Sequence, residues 1–346
     1  MVNPLEKIIS SEPKYRIKQI YQGWFEPKIR AYEEITTLSQ NLRTQLSSVP
    51  FLTIKPGPLA TDEQDKTEKI LLELNDGFCI ETVLMGRENK KNKETGPRYT
   101  ICVSTQAGCP MGCAFCSTGK LGFKRNLSAY EIVDQYRFWL YHLYDTNQGK
   151  IDNIVLMGQG EPLANYEAVK QFLQIILENT DIGPRQITLS TVGVQSGMEK
   201  MITDEGFPPV RFALSLHSAI NETRQLLIPT HTQNFFSWLI DWSKKYHQKF
   251  SSRAHFIGLE YIMIEDKNDD ARHLKELIKL SSQLGKIRIN LIPYNSTMPN
   301  WRGTNMEKIK EWRDALIQKG FVTTIRHSQG QNILAACGQL ANKINK

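Results

Sequence analysis

The pattern of apolar and polar positions changes character near residue 95. Before it, Lys14-Tyr-Arg-Ile-Lys-Gln-Ile-Tyr-Gln-Gly-Trp-Phe25 spaces apolar residues at helical intervals and residues 32–46 continue in that style, which predicts short helices. The β-formers of Phe78–Met85 predict one strand. The polar run 87–98, ending in Gly96-Pro97-Arg98, predicts a loop or linker. From about residue 100 a regular alternation begins, with strand-like runs at Tyr99–Ser104, Asn153–Met157, Gln186–Ser190, Val210–Leu216, Leu259–Ile264 and Ile287–Ile292. Helical stretches fall between and after them, near 128–143, 165–179, 196–203, 235–248, 269–284 and 306–319. Strands alternating with helices predict βαβ units and a parallel sheet. The expected fold class is therefore α/β, a partial (βα)6 TIM-type barrel with Val322–Arg326 as a candidate extra strand, preceded by a small, mainly helical accessory domain. The boundary is expected to divide 1–95 from 96–346. No low-complexity segment or fixed-period repeat interrupts this plan.

Polar and glycine-rich clusters follow the predicted strands: Gly158-Gln-Gly-Glu-Pro162, Ser190-Thr-Val-Gly193, Ser215-Leu-His217 and Pro293-Tyr-Asn295. In a βα barrel the carboxyl ends of the strands are where active sites are built. Four clusters on one rim, with a group of cysteines after the first strand, point to a single site there.

Composition excludes several classes. With 346 residues, 40% hydrophobic and 9% aromatic, the chain has the make-up of a folded protein and not of a disordered or fibrous one. No apolar run approaches the length of a membrane span. The start, Met1-Val-Asn-Pro-Leu-Glu-Lys7, lacks the profile of a secretory signal, so a cytoplasmic protein is expected, and nothing in the sequence asks for more than a monomer. A formal charge of +7 suits a polyanionic partner and equally suits an ordinary solvated surface. Six cysteines, at 79, 102, 109, 113, 116 and 337, are too sparse for a disulfide scaffold.

Cys109-Pro-Met-Gly-Cys113-Ala-Phe-Cys116 places three cysteines within eight residues. Incidental buried thiols or a zinc site are the plainer readings; structural zinc wants a fourth Cys or His at knuckle spacing, and the nearest downstream histidine is His142. An iron–sulfur cluster held by three thiolates leaves one iron open to a ligand. The C-x3-C-x2-C spacing on a loop after the first strand of a partial barrel resembles the radical S-adenosylmethionine superfamily. Further motifs narrow the resemblance: Cys102-Val-Ser-Thr-Gln-Ala-Gly-Cys109, Cys116-Ser-Thr-Gly-Lys-Leu-Gly-Phe-Lys-Arg-Asn-Leu127, Met157-Gly-Gln-Gly-Glu-Pro-Leu163 and Ala335-Ala-Cys-Gly-Gln-Leu340. Together with Tyr15-Arg-Ile-Lys-Gln-Ile20, these are similar in order to the RlmN/Cfr family of ribosomal RNA adenine methyltransferases.

That resemblance implies one 4Fe–4S cluster on Cys109, Cys113 and Cys116, with S-adenosylmethionine, two molecules per turnover, as methyl donor and radical source. It implies that the Cys337 thiolate first takes a methyl group and that the S-methyl, after loss of hydrogen to a 5'-deoxyadenosyl radical, adds to adenine. Proton loss, with Glu81 of Ile80-Glu-Thr-Val83 matching the family's proton acceptor, and attack of Cys102 on the Cys337 sulfur then release the RNA. The disulfide left behind must be reduced. Judged without the family, Glu81 reads as an outward-facing strand residue, and Cys102 and Cys337 as buried structural thiols. Cys79 matches nothing and reads as structural. Cofactor contacts carried over are Gly160, Glu161, Ser190, Ser215, Leu216, His217 and Asn295; for His217 the plain alternative is a satisfied buried histidine.

The implied partners are 23S rRNA, with tRNA as a second candidate, and an external electron donor of the flavodoxin or ferredoxin type. Basic residues expected to face RNA are Lys120, Lys124, Arg125, Arg87, Lys90, Lys91, Lys93, Arg98, Arg326 and His327, a solvated loop being the alternative for the Lys90–Lys93 run. Cys116-Ser-Thr-Gly-Lys120 and Gly160-Glu-Pro162 resemble the branch that methylates carbon 2 of adenine more than the branch that methylates carbon 8. Gln159 stands where that family usually has Met, Asn332 where an Asp commonly precedes the Ala-Ala-Cys segment, and residues 88–97 form a basic insertion. A carbon 8 enzyme, a non-catalytic iron–sulfur RNA-binding paralogue and a radical enzyme acting on a peptide or small molecule are the competing readings; retention of both Cys102 and Cys337 disfavours the pure binder.

Overall fold

The structure is a computed structural model that describes residues 4–88, 97–252, 255–326 and 328–342. The chain opens with helices α1 (Pro4–Ser11), α2 (Lys14–Phe25) and α3 (Gln40–Leu46), with a 3-10 turn at Tyr32–Glu34. Strands β1 (Ile54–Asp62), β2 (Thr67–Leu74) and β3 (Cys79–Arg87) follow as an antiparallel meander. Then come β4 (Arg98–Cys102), β5 (Gln106–Gly108), α4 (Ser117–Lys120), β6 (Phe123–Asn126), α5 (Ala129–Asp145), β7 (Ile151–Leu156) and α6 (Tyr166–Asn179). Next are β8 (Ile187–Thr191), α7 (Gln195–Thr203), β9 (Arg211–Ser215), α8 (Asn221–Leu227), α9 (Phe235–Lys249) and β10 (Ile257–Met263). The chain closes with α10 (Ala271–Ser281), β11 (Ile287–Pro293), α11 (Met306–Gln318) and β12 (Val322–Ile325).

One ten-stranded sheet runs β1-β2-β3-β4-β7-β8-β9-β10-β11-β12, parallel from β4 to β12. The expected alternation is present, including the extra strand after the sixth helix, and the fold is mixed α/β with a large parallel sheet of the partial-barrel kind. β10, Ile-Gly-Leu-Glu-Tyr-Ile-Met, is buried at every position, as expected of a parallel strand covered on both faces. Helix α5 starts where Ser128 and Glu131 form a capping box, the Ser128 hydroxyl accepting from Glu131 N and the carboxylate accepting from Ser128 N at 2.8 Å.

The region before residue 95 departs from the sequence expectation of helices and one strand. It carries three strands, and they extend the main sheet through the β3–β4 pairing, Val83 opposite Cys102. Two features hid them. β1 contains Pro56-Gly57-Pro58, which reads as a turn; as an edge strand it tolerates prolines, and its register slips between Pro56 and Leu59. β2, Thr-Glu-Lys-Ile-Leu-Leu-Glu-Leu, is composed largely of helix formers and lacks alternation. The amino-terminal helices share one hydrophobic core with the sheet and its helices. Trp24 packs edge-on to Tyr130 of α5, and the Tyr141 hydroxyl donates to Trp24 O at 2.8 Å.

Candidate functional site

The three clustered cysteines lie on the connection between β5 and β6, a short antiparallel pair off the main sheet. Gly108 makes the neck of this loop possible: its φ is +74°, and a Cβ there would lie 1.8 Å from the carbonyl oxygen of Gly122. Ala114 N donates to Leu227 O at 2.9 Å, tying the loop to the end of α8. Burial pushes the Cys109 thiol up to about 12 and raises Cys113 well above its ordinary value, each further raised by neighbouring thiols of the loop. Thiols so poorly solvated become thiolates when a cation takes the proton's place, which is the condition iron meets. Among the described residues no three His, Cys, Asp or Glu side chains converge to bind one metal ion. Three cysteines on one short loop suit a four-iron cluster by donor type and number, since three thiolates would leave one iron open to a ligand.

Beside the loop, at the carboxyl ends of the parallel strands, a half-open cavity is lined by all three cysteines and by Gly160, Glu161, Ser190, Ser215 and His217. Glu161 is buried; its carboxylate accepts from Leu163 N at 3.0 Å and Val192 N at 2.9 Å, and burial raises its pKa to about 7. A ligand ammonium would restore its charge. Gly160, at φ +101°, lets the backbone pass Gln106, where a Cβ would approach within 2.6 Å. The hydroxyls of Ser190 and Ser215 stand 3.4 Å apart. Burial holds His217 neutral, its pKa lowered to about 3; Nδ1 accepts from Ile262 N at 3.1 Å, which leaves the ring proton on Nε2. The ring meets Phe115 edge-on at 4.6 Å. Leu216 is fully buried behind this cavity, and Asn295 turns elsewhere, donating to Cys337 O at 3.1 Å.

A second cavity is lined by both Cys102 and Cys337 and shares Cys116, Met157, Arg326 and Cys337 itself with the first. Cys102 ends β4, and burial, then the Cys337 thiol, push its pKa up to about 12 while Arg326 pulls it down. Cys337 is exposed, in a segment pinned to the cysteine loop: Ser117 N donates to Gly338 O at 2.7 Å and Thr118 Oγ1 to Leu340 O at 2.8 Å.

Glu81 is fully buried, against the outward-facing reading that its strand suggested. It pairs at 2.8 Å with Lys69, its diagonal neighbour on β2, equally buried. It lines neither cavity. The two unusual residues acquire local reasons. Gln159 donates to Asn342 Oδ1 at 2.7 Å, which Met cannot do, and Asn332 donates to Asp62 Oδ2 at 2.9 Å, where an Asp would set two carboxylates face to face. The β1–β2 hairpin thus grips the segment preceding Cys337, and Gly330 N adds a 2.5 Å bond to Asp65. Sequence reasoning missed Asp62, Asp65 and Lys69, because nothing local distinguishes a strand Lys or turn Asp with a distant partner from a solvated one.

The expected basic face is altered. Arg125 is engaged by Glu131 through two bonds, at 2.9 and 2.8 Å, and by Asp76. Arg326 turns inward to Met157 Sδ at 3.3 Å and Glu260 at 3.5 Å. Lys120 donates to Thr297 O at 2.7 Å, while Arg87, Arg98 and Lys124 are exposed. Lys90, Lys91, Lys93 and His327 lie outside the described residues. No helix among the described residues is long and apolar enough to cross a membrane.

Residues 103–278 match the radical SAM superfamily model. The chain is 37% identical to the dual-specificity RNA methyltransferase RlmN of Nautilia profundicola, over 97% of this chain and 95% of that protein. It is 38% identical to the protein of the same name from Lawsonia intracellularis, over 95% and 90% of the two chains. The crystal structure of a radical SAM methyltransferase from Sphaerobacter thermophilus superposes with a TM-score of 0.85 at 32% identity, covering 96% of this chain and 95% of that one. The cysteine loop, the cavity beside it and these likenesses over nearly the whole length lead to one conclusion: the chain belongs to the RlmN family of radical SAM RNA methyltransferases, enzymes that use a 4Fe–4S cluster and S-adenosylmethionine.

Proposed function

We propose that this enzyme methylates carbon 2 of an adenosine in 23S rRNA, and of an adenosine in tRNA as a second substrate, through S-methyl-Cys337 and a transient protein–RNA adduct resolved by Cys102. The observation that carries the reading is that Cys102 and Cys337 line one cavity, and that Cys337, Met157 and Arg326 also line the cavity beside the cluster loop. A protein that only bound RNA would need neither thiol there. Bound at the loop, the cluster and S-adenosylmethionine supply a methyl group and a 5'-deoxyadenosyl radical, two molecules of the latter's source being used per turnover.

The residues of the chain do the rest. Cys109, Cys113 and Cys116 hold the cluster. Glu161 meets the cofactor's ammonium, Gly160, Ser190, Ser215 and His217 line its site, Leu216 backs it, and Asn295 acts only through the Cys337 backbone that it holds. Cys337 carries the methyl carbon to adenine, forming the carbon–carbon bond. The S-methyl carbon, one hydrogen atom having gone to the 5'-deoxyadenosyl radical, bonds to carbon 2. One electron returns to the external electron carrier and the carbon 2 proton passes to Glu81. Attack of the Cys102 thiolate on the Cys337 sulfur then breaks the sulfur–carbon bond, and the released carbon takes up a proton to become the methyl group. Two electrons from an external reductant reopen the resulting disulfide, a step suited to a reducing cytoplasm. An electron donor of the flavodoxin or ferredoxin type serves the radical step, and the working unit is a monomer with its division of labour at residue 95. Carbon 2 is favoured over carbon 8 by Ser117 after the last ligand cysteine and Pro162 after Glu161, both as in the carbon 2 branch.

The test is mass spectrometry of ribosomal and transfer RNA from a deletion strain with and without complementation. 2-Methyladenosine is expected to vanish and return with the gene. A level independent of the protein would overturn the reading, and 8-methyladenosine in its place would move the enzyme to the other branch.

A further inference from the structure

The Lys69–Glu81 pair has an arrangement that its place in the meander does not require. Both side chains are fully buried, and burying two charges is favourable only when their remaining hydrogen-bonding capacity is filled. Here much of the filling comes from far along the chain, on both sides of Cys337, with Gln159 Nε2 adding a longer contact to Glu81 Oε2 at 3.5 Å. Lys69 Nζ donates to Leu334 O at 3.2 Å, three residues before the cysteine, and Asn342 N donates to Glu81 Oε2 at 3.0 Å, five residues after it. The Asn342 side chain adds a donation to Cys79 O at 2.9 Å and accepts from Gln159 at 2.7 Å.

We propose that the buried Lys69–Glu81 ion pair is the docking post of the segment that carries Cys337, so that seating this cysteine beside Cys102 and closing off Glu81 are one event. The proposal rests on the reading of Cys337 as methyl carrier and Glu81 as proton acceptor. Docked, the segment covers the carboxylate with Asn342, and Glu81 lines neither cavity. Lifted, it leaves both charges to water, where the pair costs little. Polarity makes the fit specific: the ammonium faces a carbonyl and the carboxylate faces an N–H. Lys69 and Asn342 are positioning residues in this scheme.

Hydrogen exchange by mass spectrometry on the cluster-loaded enzyme tests it, with the segment 328–342 as reporter and strands β7–β10 as internal control. Lys69→Met strands a buried carboxylate, and Asn342→Pro removes its N–H donor; each is expected to speed exchange in the segment on the order of tenfold while the control strands stay protected. The charge swap Lys69→Glu/Glu81→Lys keeps a buried pair but turns each charge toward the wrong backbone group, so exchange stays fast. A pair that merely stabilised the sheet would be rescued by that swap. If Lys69→Met does not fold, Lys69→Met/Glu81→Leu, which removes both charges, carries the test with Asn342→Pro. Wild-type protection in folded Lys69→Met (or that double variant) and Asn342→Pro, or its recovery in the swap, overturns the docking post. Failure of the underlying reading shows separately, as RNA methylation surviving Cys337→Ala.

Discussion

Asn332 donates its amide to the Asp62 carboxylate at 2.9 Å, where Asp62 is buried, so a hydrogen bond across 270 residues ties the β1–β2 hairpin to the segment that carries Cys337. Changing Asn332→Asp replaces the donor with a second carboxylate. The two carboxylates repel and the segment loosens. Limited proteolysis within 328–342 should therefore be faster in the variant than in the wild-type chain. An unchanged rate in the variant, or no relief in the exchange Asp62→Asn/Asn332→Asp, would show that the contact does not hold the segment.

Burial holds Glu161 at about 7 against an ordinary value of 4.5. The folded chain then binds more protons than the unfolded one between those values, so this residue lowers the stability of the cofactor-free protein as pH rises from 4.5 to 7. Glu161→Gln should flatten that slope in a set of denaturant titrations. An ammonium-bearing ligand prefers the ionised form, so binding of S-adenosylmethionine to the cluster-loaded enzyme should tighten as pH rises through about 7 and release a proton. Calorimetry in buffers of different ionisation enthalpy detects that proton; its persistence in Glu161→Gln would assign it to another group.

Gly108 gives the cysteine loop its neck, with 1.8 Å available where a Cβ would meet Gly122 O. Gly108→Ala should cost well over about 1 kcal/mol, since both the positive φ and the clash oppose it. The loss should concentrate in the loop, lowering iron and sulfide per chain after reconstitution more than it lowers the melting temperature of the apoprotein. Gly77, also at positive φ but with open space around it, is the control: Gly77→Ala should leave iron content unchanged.

The division of labour between the two thiols is read on RNA. Cys102→Ala should accumulate a covalent protein–RNA species that survives denaturation and is cleaved by ribonuclease. Cys337→Ala should form none and transfer no methyl group. Identical behaviour of the two variants would show that one thiol does not resolve what the other carries.

The alternation of strands and helices after residue 100, the three loop cysteines and the polar rim of the sheet are legible in the sequence. Each depends on residues near one another along the chain, where period and spacing are properties of the sequence itself. The likeness of separated motifs, in their order, carried the chemistry further than periodicity did. Tertiary structure decided the rest. Glu81 is sealed by a lysine 12 residues away and an asparagine 261 away, Arg125 is occupied by Asp76 and Glu131, and Arg326 turns toward the two thiols. A charged residue has no local mark telling whether it will meet water or a distant partner. That choice is made when desolvation and ion pairing are weighed in the folded chain, and here it joined an apparent accessory strand to the segment that carries Cys337.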